Sequence, residues 1–173
     1  KGAVEAAKAA AGKADGAPAE ETAAETARFE LAGDNDHQLK QAIRLLIAQG
    51  GVVKGSAVTV LGFTFKENVP DLRNTRVIDI VRELQDYGVH AVLHDPLADP
   101  DDVKRHFGLA PRDLGDIGPV DAVIVAVAHE PYRRLALTDL VGLCREGEPI
   151  LIDIKGMYPP AEAQALGIRY WRL

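Results

Sequence analysis

Three cations and one aromatic ring carry the chemistry that this sequence could do. Lys66 stands four residues beyond Gly62, which closes the apolar run Val58–Leu61. If that run is a parallel strand, the lysine projects over the sheet edge as a point charge suited to a phosphate. Phe65, its neighbour, either offers a flat face to a base or joins the core. Arg73 falls just before a helical stretch, where a cation opposes the helix dipole. Its placement calls for an anion, either Asp71 or a ligand phosphate. Lys155 leaves a later apolar run, Pro149–Ile152, and should face the same crevice as Lys66. Cations converging on one sheet edge suggest a diphosphate.

Other reactive residue types fit structural roles better. Asp95 sits where an acid would meet a ribose, yet before Pro96 it reads as a turn residue. The turn after Val58–Leu61 has Gly62 but no G-x-G-x-x-G, and Phe63 and Phe65 take the space a pyrophosphate would need. Autonomous NAD binding by this loop is therefore not expected. His129, followed by Glu130, reads as a capping or core-edge residue rather than a catalyst. Cys144 lies on an apolar helix face with no His near it in sequence, which argues against a nucleophile.

Placing those side chains at one edge requires alternating strands and helices. Val58–Gly62 reads as the first strand, followed by a loop and an amphipathic helix from about Asn74 to Tyr87-Gly88 with Val77, Ile80, Val81 and Leu84 on one face. Val89–His94 is a second strand, so the three elements make a parallel βαβ unit. Asp99–Phe107 reads as a short helix, and Ala122–Ala128 as a third strand, apolar throughout as one buried on both faces should be. Pro131–Cys144 reads as a helix, Pro149–Ile152 as a fourth strand and Ile168–Trp171 as a short last strand. The expectation is a three-layer, doubly wound, Rossmann-like α/β domain with a parallel sheet over residues 52–173. Before it, residues 36–51 read as a helix with Leu39, Ile43, Leu46 and Ile47 on one face. Residues 1–35 form a low-complexity, Ala-rich tail without an apolar stripe, expected to be disordered.

Composition removes several classes of function. The chain has 173 residues and a net charge of −6, which gives no electrostatic reason to expect nucleic acid or anionic membrane as partner. No apolar run approaches the roughly 20 residues of a membrane span. The single Cys excludes an intrachain disulfide framework and a cysteine-rich metal site. A cytoplasmic protein is the default. The first residue is Lys rather than Met, as in a fragment or a processed chain.

Taken together, LGFTFKENVPDLRNTRVIDIVREL, HDP, VIVAVAH, IDIKG and the closing GIRYWRL resemble the C-terminal, UDP-binding domain of the UDP-glucose/GDP-mannose dehydrogenase family. The FKEN-PDLRN wording is closest to the branch that oxidises UDP-N-acetylhexosamines to uronic acids for surface polysaccharides. IRLLIAQGGVVKG resembles the end of that family's central dimer helix. The resemblance implies a four-electron oxidation of a sugar C6 alcohol to a carboxylate with two NAD. It implies that Phe65, Lys66 and Lys155 contact the UDP-sugar, and that Arg73 reaches NAD held mainly by an N-terminal domain. Some members carry an arginine at the position of Lys155, so its contact would be monodentate. The family's Rossmann fingerprint and catalytic cysteine segment have no counterpart here, and Cys144 is not that cysteine. The chain alone is therefore expected to bind UDP-sugar without turning it over, with the missing catalytic domain as partner and a homodimer as one association. Its alternative reading is a non-catalytic relic or association module on the same fold.

Overall fold

A computed structural model of the chain describes residues 53–172. The tail at 1–35 and the helix read at 36–51 lie outside the described residues. The first strand, β1 (Ala57–Leu61), leads through a long loop into α1 (Val77–Asp86) and then β2 (His90–His94). Next come α2 (Pro100–Phe107), a 3₁₀ turn at Leu114–Asp116, and β3 (Ala122–Val125). Two short helices follow, α3 (Glu130–Arg133) and α4 (Leu137–Val141), then β4 (Ile150–Asp153), α5 (Pro160–Ala165) and β5 (Arg169–Arg172).

The five strands form one parallel sheet in the order β2-β1-β3-β4-β5. Alternation along the strands divides the core in two. Val58 and Val60 of β1, Ile124 of β3, and Ile150 and Ile152 of β4 face a cluster completed by Ile80, Val81 and Leu84 of α1 and Val103 of α2. Leu61, Val123, Val125 and Leu151 face the opposite cluster, with Tyr132 of α3, Leu137 and Leu140 of α4, and Ala163 of α5. Helices thus cover both faces of the sheet, giving the three layers that apolar strands demand.

Local chemistry sets the element ends. The Asp99 carboxylate accepts the backbone N–H groups of Asp101 and Asp102 at 2.9 and 3.0 Å, and Pro100 fills the first helical position of α2. Gly108 ends α2 with φ 71°, which glycine adopts without a Cβ clash.

The third strand stops at Val125 rather than Ala128. Beyond it the N–H groups of Ala126 and Val127 both turn to the Leu61 carbonyl, which breaks the ladder. The region read as one helix over 131–144 is two short ones, since Ala136 is extended (ψ 158°) and its N–H donates to the Asp139 carboxylate. The helix α5 carries no apolar stripe in the sequence, since Ala163 is its one buried side chain.

Candidate functional site

In the order 2-1-3-4-5 the order in which strands are added reverses between β1 and β3, and the crevice outside the carboxyl ends of those strands is where such sheets bind ligands. The β1–α1 loop carries Phe65 and Lys66 at this edge, and Arg73 against α2. Its path begins at Gly62, which has φ +91° and packs so closely on the β3 end that an added Cβ would lie 2.7 Å from the Val127 nitrogen. Phe63 then turns inward, fully buried, and packs edge-to-face on Phe107 at 5.0 Å between centroids. The Phe63 carbonyl accepts the Thr75 hydroxyl at 2.5 Å, and the Phe65 N–H donates to the Asp71 carbonyl at 2.7 Å. The loop is thereby closed on itself before α1 starts.

A buried polar cluster holds this loop to its neighbours. Asp95, just past β2, accepts at one carboxylate oxygen the N–H groups of Phe63 (2.5 Å) and Thr64 (2.9 Å), and at the other those of Leu97 (2.8 Å) and Ala98 (3.0 Å). His129, just past β3, has its side chain wholly buried and places Nε2 at 3.1 Å from the same Asp95 oxygen and 2.9 Å from Thr64 Oγ1. Its Nδ1 accepts the Asn68 N–H at 2.9 Å. A ring nitrogen that accepts carries no proton, so the proton sits on Nε2. Burial penalises the charged form of Asp95. The hydrogen bonds from His129 and from the Phe63, Leu97 and Thr64 amides outweigh it and hold the carboxyl well below the ordinary range.

The β4–α5 loop is built in a parallel way. Asp153, at the end of β4, is fully buried and accepts the N–H groups of Lys155 (3.2 Å) and Tyr158 (3.0 Å) and the hydroxyl of Tyr170 (2.8 Å). The Tyr158 hydroxyl donates to the Tyr132 carbonyl at 3.1 Å, and the Tyr132 hydroxyl to that of His94 at 3.0 Å. Polar bonds therefore run beneath the strand ends from β2 to β4, while the loops above face solvent.

The four residues singled out from the sequence occupy this edge unequally. Phe65 is 54% exposed, so the core reading of it is wrong; Phe63 is the core aromatic. Lys66 beside it is exposed. Arg73 makes a two-pronged pair with Asp71, Nε at 3.0 Å and Nη2 at 2.9 Å, while its side chain stays 87% exposed. Arg73 foremost, and Lys66 more weakly, hold the Asp71 carboxyl down to about 2. Lys155, also exposed, stands two strands from β1, about 10 Å by strand spacing. A cleft of about 390 Å³ opens between Leu72, Arg73 and Asn74 on one side and Asp99 with Asp102 and Phe107 of α2 on the other. Lys66 and Lys155 do not line it, and the three carboxylates that do, Asp71, Asp99 and Asp102, make it a poor phosphate site.

The reactive side chains beneath this edge, Asp95, His129 and Asp153, are taken up in structural hydrogen bonds. Burial pushes the Cys144 thiol up to about 11, which suits an inert packing residue. No group of three metal-ligating side chains occurs among the described residues. A pyrophosphate does not fit the β1 turn as it would in a dinucleotide-binding domain, because Asp95 already takes the Phe63 and Thr64 N–H groups. Asp95 is thus the turn residue that its place before Pro96 predicts, and His129 stands at the N-cap position of α3 without a side-chain cap bond. What the sequence left unread is that these two, with Thr64 and Asn68, make one cluster. Its only sequence signal is a polar residue soon after each of two strands.

These features define an α/β domain that displays an aromatic and a cation at the switch point of a parallel sheet. The sequence over residues 59–160 matches the UDP-glucose/GDP-mannose dehydrogenase family, UDP binding domain, and the chain belongs to that family. It is 39% identical to the UDP-N-acetyl-D-glucosamine 6-dehydrogenase of Salmonella typhi, over 72% of this chain and 29% of the relative. It is 41% identical to Protein CapL of Staphylococcus aureus, over 80% of this chain and 33% of the relative. The chain thus spans about a third of the length of the curated relatives it matches. Among solved structures, the NDP-N-acetyl-D-galactosaminuronic acid dehydrogenase from Methanosarcina mazei Go1 superposes with a TM-score of 0.72, covering 94% of this chain and 34% of that one. At 22% identity that likeness speaks for the fold alone. Among the described residues no helix is long and apolar enough to cross a membrane.

Proposed function

We propose that this chain is the nucleotide-sugar-binding part of an NAD-dependent UDP-sugar 6-dehydrogenase, with a UDP-N-acetylhexosamine as substrate class. The observation that carries the reading is the pair Phe65 and Lys66, both exposed, on the loop that leaves β1 at the switch point within the matched UDP binding domain. Lys66 supplies a point charge to the diphosphate and Phe65 a flat apolar face to the nucleoside or sugar. Lys155 adds a second charge from the β4 end, on the same side of the sheet. Arg73, exposed beside the cleft at α2, contacts NAD carried by the part of the relatives that this chain does not span. The same part brings the groups that oxidise the sugar C6 alcohol to a carboxylate. The chain would work in the cytoplasm, bounded as residues 52–173 for the binding domain, with residues 36–51 pairing two copies.

Joining this chain to the NAD-binding part of the Salmonella typhi relative tests the reading. NADH formation with UDP-N-acetylglucosamine, absent when either part is alone, is the expected result. A joined protein that binds UDP and NAD yet forms no NADH would favour the association module instead.

A further inference from the structure

His129 stands at the centre of the polar cluster under the β1–α1 loop, and its two ring nitrogens grip that loop at two separate points. Nε2 meets the Thr64 hydroxyl at 2.9 Å, and Nδ1 accepts the Asn68 N–H at 2.9 Å. Between these grips lie Phe65, Lys66 and Glu67. The Thr64 hydroxyl in turn faces the Lys66 carbonyl at 3.2 Å, tying the backbone of that residue to the grip. Asn68 is in the left-handed region at φ 59°, and its side-chain oxygen accepts the Glu130 N–H at 2.8 Å, so the residue after His129 grips the same point. Asp95 fixes the ring from below, through Nε2 at 3.1 Å.

We propose that His129 is a positioning residue for nucleotide-sugar binding: it clamps the loop on both sides of Phe65 and Lys66 and so presents them preorganised to the ligand. The inference rests on the functional reading above. His129 itself never touches ligand, because its side chain is wholly buried. A preorganised loop loses less conformational freedom on binding, so releasing the clamp weakens affinity without removing any ligand contact. The two nitrogens can be tested separately. The amide of Asn occupies the place of Nδ1 and keeps an acceptor for the Asn68 N–H, whereas that of Gln reaches the place of Nε2 and leaves the Asn68 N–H unpaired.

The experiment is calorimetric titration of the full chain with UDP, beside amide hydrogen exchange at Asn68, for wild type, His129→Asn, His129→Gln and Thr64→Val. The expected result is UDP binding weakened about threefold to tenfold in His129→Gln, the range that one lost hydrogen bond commands. Exchange at Asn68 should be faster in the same variant, and His129→Asn should restore both towards wild type. Thr64→Val keeps the side-chain shape and leaves the ring intact, and it should weaken UDP by about threefold. It stands in if the His129 variants do not fold. A wild-type chain that binds no UDP overturns the functional reading and this proposal with it. Wild-type binding with unchanged affinity in Thr64→Val and in every folded His129 variant overturns this proposal alone.

Discussion

Replacing Asp95 by Asn asks whether the site is held by this one carboxylate. One of its oxygens accepts the Phe63 and Thr64 N–H groups and lies 3.1 Å from His129 Nε2; the other accepts those of Leu97 and Ala98. An amide has one oxygen, so either orientation sets an NH₂ against at least two backbone donors. Unsatisfied buried donors cost about 1–3 kcal/mol each, and because Leu97 is half-buried the sum should fall at about 2–4 kcal/mol. Against a total of about 5–15 kcal/mol for a domain, this is a large fraction. Urea unfolding followed by circular dichroism should show the midpoint falling by about 1–3 M. The pH dependence gives a second readout with a definite sign. The folded Asp95 carboxyl lies well below the unfolded value of about 3.9, so its stabilisation is complete above about pH 5 and is lost as pH falls through 4 and below. Asp95→Asn has no such carboxyl, and its stability should fall less steeply in that window than that of wild type. A midpoint within error of wild type, or acid limbs of equal slope, would mean that Asp95 does not hold the two loops.

Three further perturbations probe the frame around the site. Gly62→Ala puts a Cβ 2.6–2.9 Å from three Val127 atoms at φ +91°, so it should cost about 2–5 kcal/mol in the same urea assay. Tyr170→Phe removes the hydroxyl that meets Asp153 at 2.8 Å and should cost about 1–2 kcal/mol; a neutral effect would mean that the β4–α5 loop does not depend on this bond. Cys144, with its thiol pushed up to about 11 by burial, should react with iodoacetamide at pH 8 far more slowly in the native chain than in urea. Equal rates would show that the segment after α4, where Cys144 bridges to Val120, is open.

Much of the fold was legible because its signals are local. The apolar runs at Val58–Leu61, Ala122–Val125 and Ile150–Ile152 are strands buried on both faces, and the face made by Val77, Ile80, Val81 and Leu84 is the core face of α1. Chain turns decided by tertiary contacts were not legible. Ala126–Ala128 is as apolar as the strand before it, and it bends away because its amides meet the Leu61 carbonyl from another strand. The site divides in the same way. Lys66, Lys155 and Arg73 could be placed at the carboxyl edge from strand order, and the Asp71 partner of Arg73 lies two residues away, within reach of sequence reasoning. Which of Phe63 and Phe65 faces inward depends on Phe107 and on Asp95, more than 30 positions along the chain, and local pattern could not decide it. His129 meets Thr64 and Asn68 across more than 60 positions, and nothing in its neighbourhood announces that.

Titration of the chain with UDP, beside a Lys66→Ala variant, decides whether Lys66 holds the diphosphate of a UDP-sugar. Wild type should bind UDP, more weakly as salt is raised, and Lys66→Ala should lose about tenfold or more in affinity with its unfolding midpoint unchanged. Equal affinity in the two proteins, or no UDP binding by wild type, would contradict that role.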